Sequence, residues 1–184
     1  FQDIIWVGAD GQGIYMYFTD EFSIENVLLD VPEYRVNNPV RALFLDHEQT
    51  LWIGTKGGGI LRMMDFYPDR ETLPQAERIL ANNSALMDNS VYSFAPGRRK
   101  SLWIGTEDGL NYYSYLTKRI EEFPVIADGK KVKYVHSICE TNDSTLWVVS
   151  AGEGIVKITL EASSSLPKVK SAQRFTLDGR SEEH

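Results

Sequence analysis

Only one cysteine, Cys139, occurs in 184 residues. A lone thiol closes no internal disulfide, and no Cys or His spacing suits a zinc site. Its place in the apolar run Val135-His136-Ser137-Ile138-Cys139 is read as an inert core position. Cysteine poverty fits a cytosolic and a bacterial periplasmic protein equally. No run reaches the roughly 18 apolar residues of a membrane-spanning helix. No signal peptide is visible, since the chain opens on FQDIIWVG. Positive charge is scarce too: 19 Lys and Arg face 26 Asp and Glu, a net charge of −7. That balance disfavours a nucleic-acid binder and a polybasic membrane patch. The densest basic run, Arg98-Arg99-Lys100, is read as a solvated loop. Helical periodicity is also missing. The stretch from Asp69 to Leu86 comes nearest to it and is read as a loop with at most one turn.

What the chain does have is a phrase said four times: IWVGADGQGI from Ile5, LWIGTKGGGI from Leu51, LWIGTEDGL from Leu102 and LWVVSAGEGI from Leu146. A catalytic motif occurs once, so a fourfold phrase is structural. The four tryptophans, Trp6, Trp52, Trp103 and Trp147, lie 46, 51 and 44 residues apart. A Val-led strand and a polar turn precede the last three: VRALFLD, VYSFAPG and VHSICET. Further apolar runs follow each glycine group, giving four short strands per unit. Leu51-Trp52-Ile53 is apolar on both sides of the pleat, the pattern of a sheet buried on both faces. Glycines after the tryptophan permit a sharp hairpin.

Together these features predict an all-β fold: a β-propeller segment of four-stranded antiparallel blades, about three complete blades plus a partial one. The units fall at about 1–36, 37–86, 87–130 and 131–178, with 179–184 the start of a next unit or a tail. Trp6, Gly8, Trp52, Gly54, Trp103, Gly105, Trp147 and Gly154 are the structural marks of the repeat, the tryptophans packing between blades. WD40 blades fit poorly, because no tryptophan is followed by Asp, and parallel β-helices have shorter periods. Three blades and a fraction are fewer than the roughly four to eight of a closed propeller. A longer parent chain is therefore expected. Each end blade would then show an apolar face, and self-association through those faces is expected.

An enzyme has to be weighed, because fold alone does not decide function. The acids Asp10, Asp46, Glu107, Asp108 and Glu153 sit in turns and are read as solvated turn residues. Asp143, four residues before Trp147, faintly suggests a sialidase Asp-box but lacks its glycine. The four Asp-Gly pairs carry no EF-hand spacing, and Gly57 to Gly59 lacks the Lys-Ser/Thr of a phosphate loop. Tyr113 and Tyr115 share a strand face and are read as packing rather than as a sugar platform. No catalytic residue, metal site or cofactor is expected. If a ligand binds, the tips of the Trp hairpins, Gln12, Lys56, Glu107 and Glu153, are the candidates.

The phrases LWIGTKGGGI and LWIGTEDGL, with upstream turns such as Asp88-Asn89-Ser90-Val91, resemble the two-component regulator propeller repeat over nearly the whole chain. Departures occur at Ala9, where Thr is usual, and at Val149-Ser150 in place of Gly-Thr. The resemblance implies the periplasmic sensor region of a bacterial hybrid two-component histidine kinase, typical of gut Bacteroidetes. Such parents continue into a β-sandwich, a membrane span and a kinase, and many respond to oligosaccharides. This segment carries no phosphoacceptor motif, ATP-binding boxes or receiver pattern, so it is expected to be non-catalytic. A ligand-sensing role with an oligosaccharide as ligand is the leading expectation, with the membrane reached only through the parent. The alternatives are a propeller scaffold for protein–protein contact outside signalling and a propeller glycoside hydrolase fragment.

Overall fold

A computed structural model describes residues 4–9, 13–19, 23–26, 35–66, 75–142, 144–162 and 164–176. Every regular element among them is a strand, and hydrogen-bonded neighbours in each sheet are antiparallel. Among the described residues, four blade-like sheets follow one another along the chain, with a two-stranded one between the third and fourth. The first has three strands, β1 (Ile4–Ala9), β2 (Gly13–Phe18) and β3 (Ser23–Asn26). The second has four, β4 (Val40–Leu45), β5 (Leu51–Thr55), β6 (Ile60–Met64) and β7 (Gln75–Ile79). The third is β8 (Val91–Gly97), β9 (Ser101–Thr106), β10 (Leu110–Ser114) and β11 (Arg119–Phe123). After a small hairpin, β12 (Ile126–Ala127) and β13 (Lys130–Lys131), comes the fourth: β14 (Val135–Asn142), β15 (Thr145–Ser150), β16 (Gly154–Leu160) and β17 (Val169–Phe175). Strands pair in sequence order within each sheet, as propeller blades require. The expected all-β fold of blades, three of them four-stranded and one shorter, is what the chain forms. Within the stretch from Asp69 to Leu86, Gln75–Ile79 is the outer strand of the second blade, and residues 67–74 lie outside the described ones.

The chain parts into two compact units, Phe1–Ser84 with Asp88–Val91, and Ala85–Met87 with Tyr92–His184. In the first, Ile14, Val40, Leu51, Ile53, Leu61 and Met63 form one buried cluster. In the second, Trp103, Tyr112 and Phe123 of the third blade share a cluster with Leu146, Val148, Val156 and Ile158 of the fourth. Each core thus lies between two consecutive blades.

The repeated phrase has a division of labour. Trp52 and Trp103 are fully enclosed, and their indole N–H groups reach acceptors, Asp46 at 2.8 Å and Glu140 at 2.9 Å; Trp147 is half-buried. Trp103 packs edge-on against Tyr112 and Phe123, with ring centroids 5.9 and 4.9 Å away. The glycine two residues on is the seam. A Cβ on Gly8 would stand 2.8 Å from Cγ1 of Val40, and one on Gly105 would stand 2.7 Å from Cγ1 of Val135. Val40 and Val135 open the first strands of the second and fourth blades, so the glycine is the notch that receives the next blade's leading valine. The threonine that follows closes the hairpin: Thr55 and Thr106 each donate a side-chain bond to a glycine carbonyl, Gly59 and Gly109, at 2.9 Å. Gly59 and Gly154 take positive φ (70° and 91°), and a side chain there would strike the carbonyls of Ile79 and Phe175.

Two readings of single residues need correction. Cys139 is exposed, not core. On β14 it pairs in register with Trp147, which puts it on the face of the fourth blade turned away from the third. Asp46 is not a solvated turn acid. It is buried and accepts from the backbone N–H of Glu48 and Thr50, both at 2.9 Å, and from Trp52. Tyr113 is buried and meets Tyr115 edge-on at 5.2 Å, a packing pair.

Candidate functional site

The hairpin tips were the sequence's candidates. Gln12 and Asp10 lie outside the described residues, as does Asp143. Lys56 sits on the exposed β5–β6 tip. Its backbone is pinned: its N–H donates to the carbonyl of Pro39 at 2.9 Å, and its carbonyl accepts from Asn38 Nδ2 at 3.1 Å. The tip is therefore a defined platform.

In the second unit the candidate acids fall into a charged network. The β12–β13 hairpin builds it. A turn at Asp128-Gly129 reverses the chain, and Lys130, Lys131 and Lys133 follow. Asp108 receives Lys131 at 2.6 Å on one oxygen and Lys133 at 2.8 Å on the other. Glu153 receives Lys130 at 2.7 Å on Oε1 and Arg174 at 3.0 Å on Oε2. Glu107 accepts from the Tyr92 hydroxyl at 3.0 Å, and the Tyr92 ring lies 4.4 Å from that of His136. Hydrogen bonds from Lys131 and then Lys133 hold the Asp108 carboxyl below the usual carboxylate range. Lys130 first, and then Arg174, do the same for Glu153.

The structure therefore joins the third and fourth hairpin tips through cations that sequence reading passed over. Their signal was present as the cluster Lys130, Lys131 and Lys133 after an Asp-Gly turn. Glu153, read from the sequence as a solvated turn acid, instead spends both carboxylate oxygens inside the protein, on Lys130 and Arg174. Arg174 is deeply placed, its side chain only 9% exposed. Its Nε and Nη2 find no hydrogen-bond partner among the described residues. The network's evident capacity is to lock the two tips to the hairpin between them. Among the described residues no group of three or more His, Cys, Asp and Glu is arranged to hold a metal.

The sign of the pH effect follows. Both carboxyls titrate lower in the fold than their ordinary values of 3.8 and 4.5. Their contribution is complete above those values and is lost as pH falls through the lower folded ones. Glu153→Gln is expected to cost about 2 kcal/mol at pH 7, because it strips a mostly buried guanidinium of its counter-charge. The variant should also lose less stability than the wild type between pH 5 and pH 3. Urea melts at those pH values check it, and parallel curves for the two proteins would refute the assignment.

Comparisons with known proteins agree with the blades. Residues 35–57 and 85–108 match the family described as two component regulator propeller. A protein named histidine kinase P4, from Formosa agariphila, is 28% identical over 165 residues, 88% of this chain but 12% of that protein. Among solved structures, the extracellular domain of a putative hybrid two component system from B. thetaiotaomicron is 21% identical. It aligns over 92% of this chain and 22% of its own, with a TM-score of 0.67. PorZ, a surface component of the type-IX secretion system of Porphyromonas gingivalis, is 16% identical. It aligns over 96% of this chain and 26% of its own, with a TM-score of 0.65. At these identities the structural likeness speaks for the fold alone. The chain spans only a small part of each of these proteins.

Proposed function

We propose that this chain is part of the extracytoplasmic sensor of a two-component histidine kinase, since residues 35–57 and 85–108 match the two component regulator propeller family. On this reading it does no chemistry. It binds a ligand in the periplasm of a Bacteroidetes bacterium, an oligosaccharide in the first instance, and belongs to a parent anchored in the inner membrane. The observation that carries the reading is where the repeat falls: the matched segments hold the leading valines Val40 and Val91 and the LWIGT strands of the second and third blades. The relation to a histidine kinase over most of this chain supports the same context. A ligand can drive such a sensor only by binding two conformations unequally. The hairpin tips remain the proposed contact points, Lys56 with Gln12 in the first unit and Glu107 in the second; Glu153, committed to Lys130 and Arg174, is no longer among them.

Self-association belongs to the same proposal. On the first blade, Ile5 and Val7 are exposed on the face turned away from Gly8. On the fourth, Val149, Ile155 and Phe175 are exposed on one face, beside Trp147. Apolar sheet faces of this kind seek cover. Light scattering on the isolated chain is expected to give a dimer or larger, dissociating on Ile155→Lys. A monomer at all concentrations would overturn the association. Calorimetric titration with an oligosaccharide panel tests the ligand class, and silence across the panel would reject it.

A further inference from the structure

A second candidate site lies at the other end of the second unit's blades. In a sheet whose strands pair in sequence order, the turns between first and second strands and between third and fourth emerge together. They leave at the end opposite the Trp-hairpin tips. Three such turns, from two consecutive blades, border an open, solvent-facing cleft of about 420 Å³. The β8–β9 turn supplies Arg98, Arg99 and Lys100, the β10–β11 turn supplies Leu116, and the β16–β17 connection supplies Ala162, Ser164 and Ser165. All three positive charges of the chain's densest basic run thus line one wall, in a protein of net charge −7. Among the described residues that line the cleft there is no carboxylate.

The two guanidinium groups are placed rather than loose. Arg99 Nη1 donates to the carbonyl of Ser164 across the cleft at 3.1 Å. Arg98 Nη2 donates to the carbonyl of Thr141 at 3.1 Å, and its backbone N–H donates to Glu140 Oε2 at 2.9 Å. Lys100 closes the turn at φ 48°, and its side chain is exposed at the rim. Cations already held in position bind an anion without a further ordering cost. Leu116 offers apolar contact and the two serines offer hydroxyls opposite. This mix suits a small organic molecule carrying a charged oxygen group.

We propose that this cleft is an oxyanion-binding site, taking a carboxylate, sulfate or phosphate group on a compact carbon skeleton. It is independent of the sensor reading: binding here without any signalling role would leave the site standing. The test is a ¹H–¹⁵N NMR titration of the wild-type chain at constant ionic strength with sulfate, phosphate and citrate, and with glucose as the neutral comparator. At least one of the three anions should give saturable shifts at the amides of Arg98 to Lys100, Leu116, Ser164 and Ser165. Lys100→Asn, which suits the left-handed turn, should weaken that binding at least about fivefold. Arg41→Gln, an equal loss of charge at an exposed position elsewhere, should change it less than twofold. The proposal falls if no anion saturates, if shifts spread over the surface, if both variants weaken binding alike, or if glucose binds as well. Should Lys100→Asn not fold, Ser165→Asp sets a negative charge on the opposite wall and is expected to abolish binding. Unchanged binding in that variant would overturn the site.

Discussion

Gly105→Val is expected to cost about 4 kcal/mol or more, a large share of the roughly 5–15 kcal/mol that holds a typical domain together. The cause is contact, not backbone strain. A Cβ on Gly105 would stand 2.5 Å from the carbonyl oxygen of Val135 and 2.7 Å from its Cγ1, and would also strike Ser93 Oγ. Two of these atoms belong to the leading strand of the fourth blade, and the third is tied to it, since Ser93 Oγ donates to the Val135 carbonyl at 3.1 Å. The carbonyl oxygen is backbone and cannot yield without parting the two blades, and parting them opens the core that Trp103 shares with Val148 and Val156. The matched control is Val149→Gly. Val149 occupies the same place in the fourth repeat but is 41% exposed, so its change should cost less than about 1.5 kcal/mol, mostly chain entropy and lost strand propensity. Urea denaturation of the two variants decides the matter. Equal midpoints would mean that the glycine is not the seam.

The same comparison shows what could be read from the residues alone. Blade number, strand order and the hairpins follow from a phrase repeated at a period in the forties, because a propeller must solve the same packing problem in every blade. The identity of the seam glycine was visible only as a repeated letter; its reason is the approach of Val40 and Val135, which no local pattern encodes. Cys139 was misread because an apolar strand looks the same whether its second face meets another blade or not. Asp46 was misread because a turn acid looks solvated until the indole of Trp52 is seen to need an acceptor. The site residues were the least legible. Lys130, Lys133 and Arg174 reach Glu153 and Asp108 from separate segments, and the cleft of Arg98 to Lys100 needs three turns from two blades to exist. Chemistry that depends on convergence of distant segments leaves little trace in spacing.

Trp103→Ala is the second large effect, expected at about 4 kcal/mol. The side chain is fully buried and touches the rings of Tyr112 and Phe123, so truncation leaves a void lined by aromatic edges. It also removes a donor. Glu140 Oε2 accepts from both Trp103 Nε1 and the N–H of Arg98, while Oε1 is buried without a partner among the described residues. The carboxylate is thus already short of donors, and losing the indole leaves it with less. Trp103→Phe separates the two causes. It restores most of the volume but not the N–H, and should recover more than half of the loss, leaving about 1–2 kcal/mol for the hydrogen bond to the charged acceptor. Adding Glu140→Gln to Trp103→Phe should then cost less than Glu140→Gln does alone, since the bond it would weaken is already gone. Additive effects of the two changes would show that the indole serves the fold by its bulk alone, and that Glu140 is held by Arg98 rather than by the tryptophan that names the repeat.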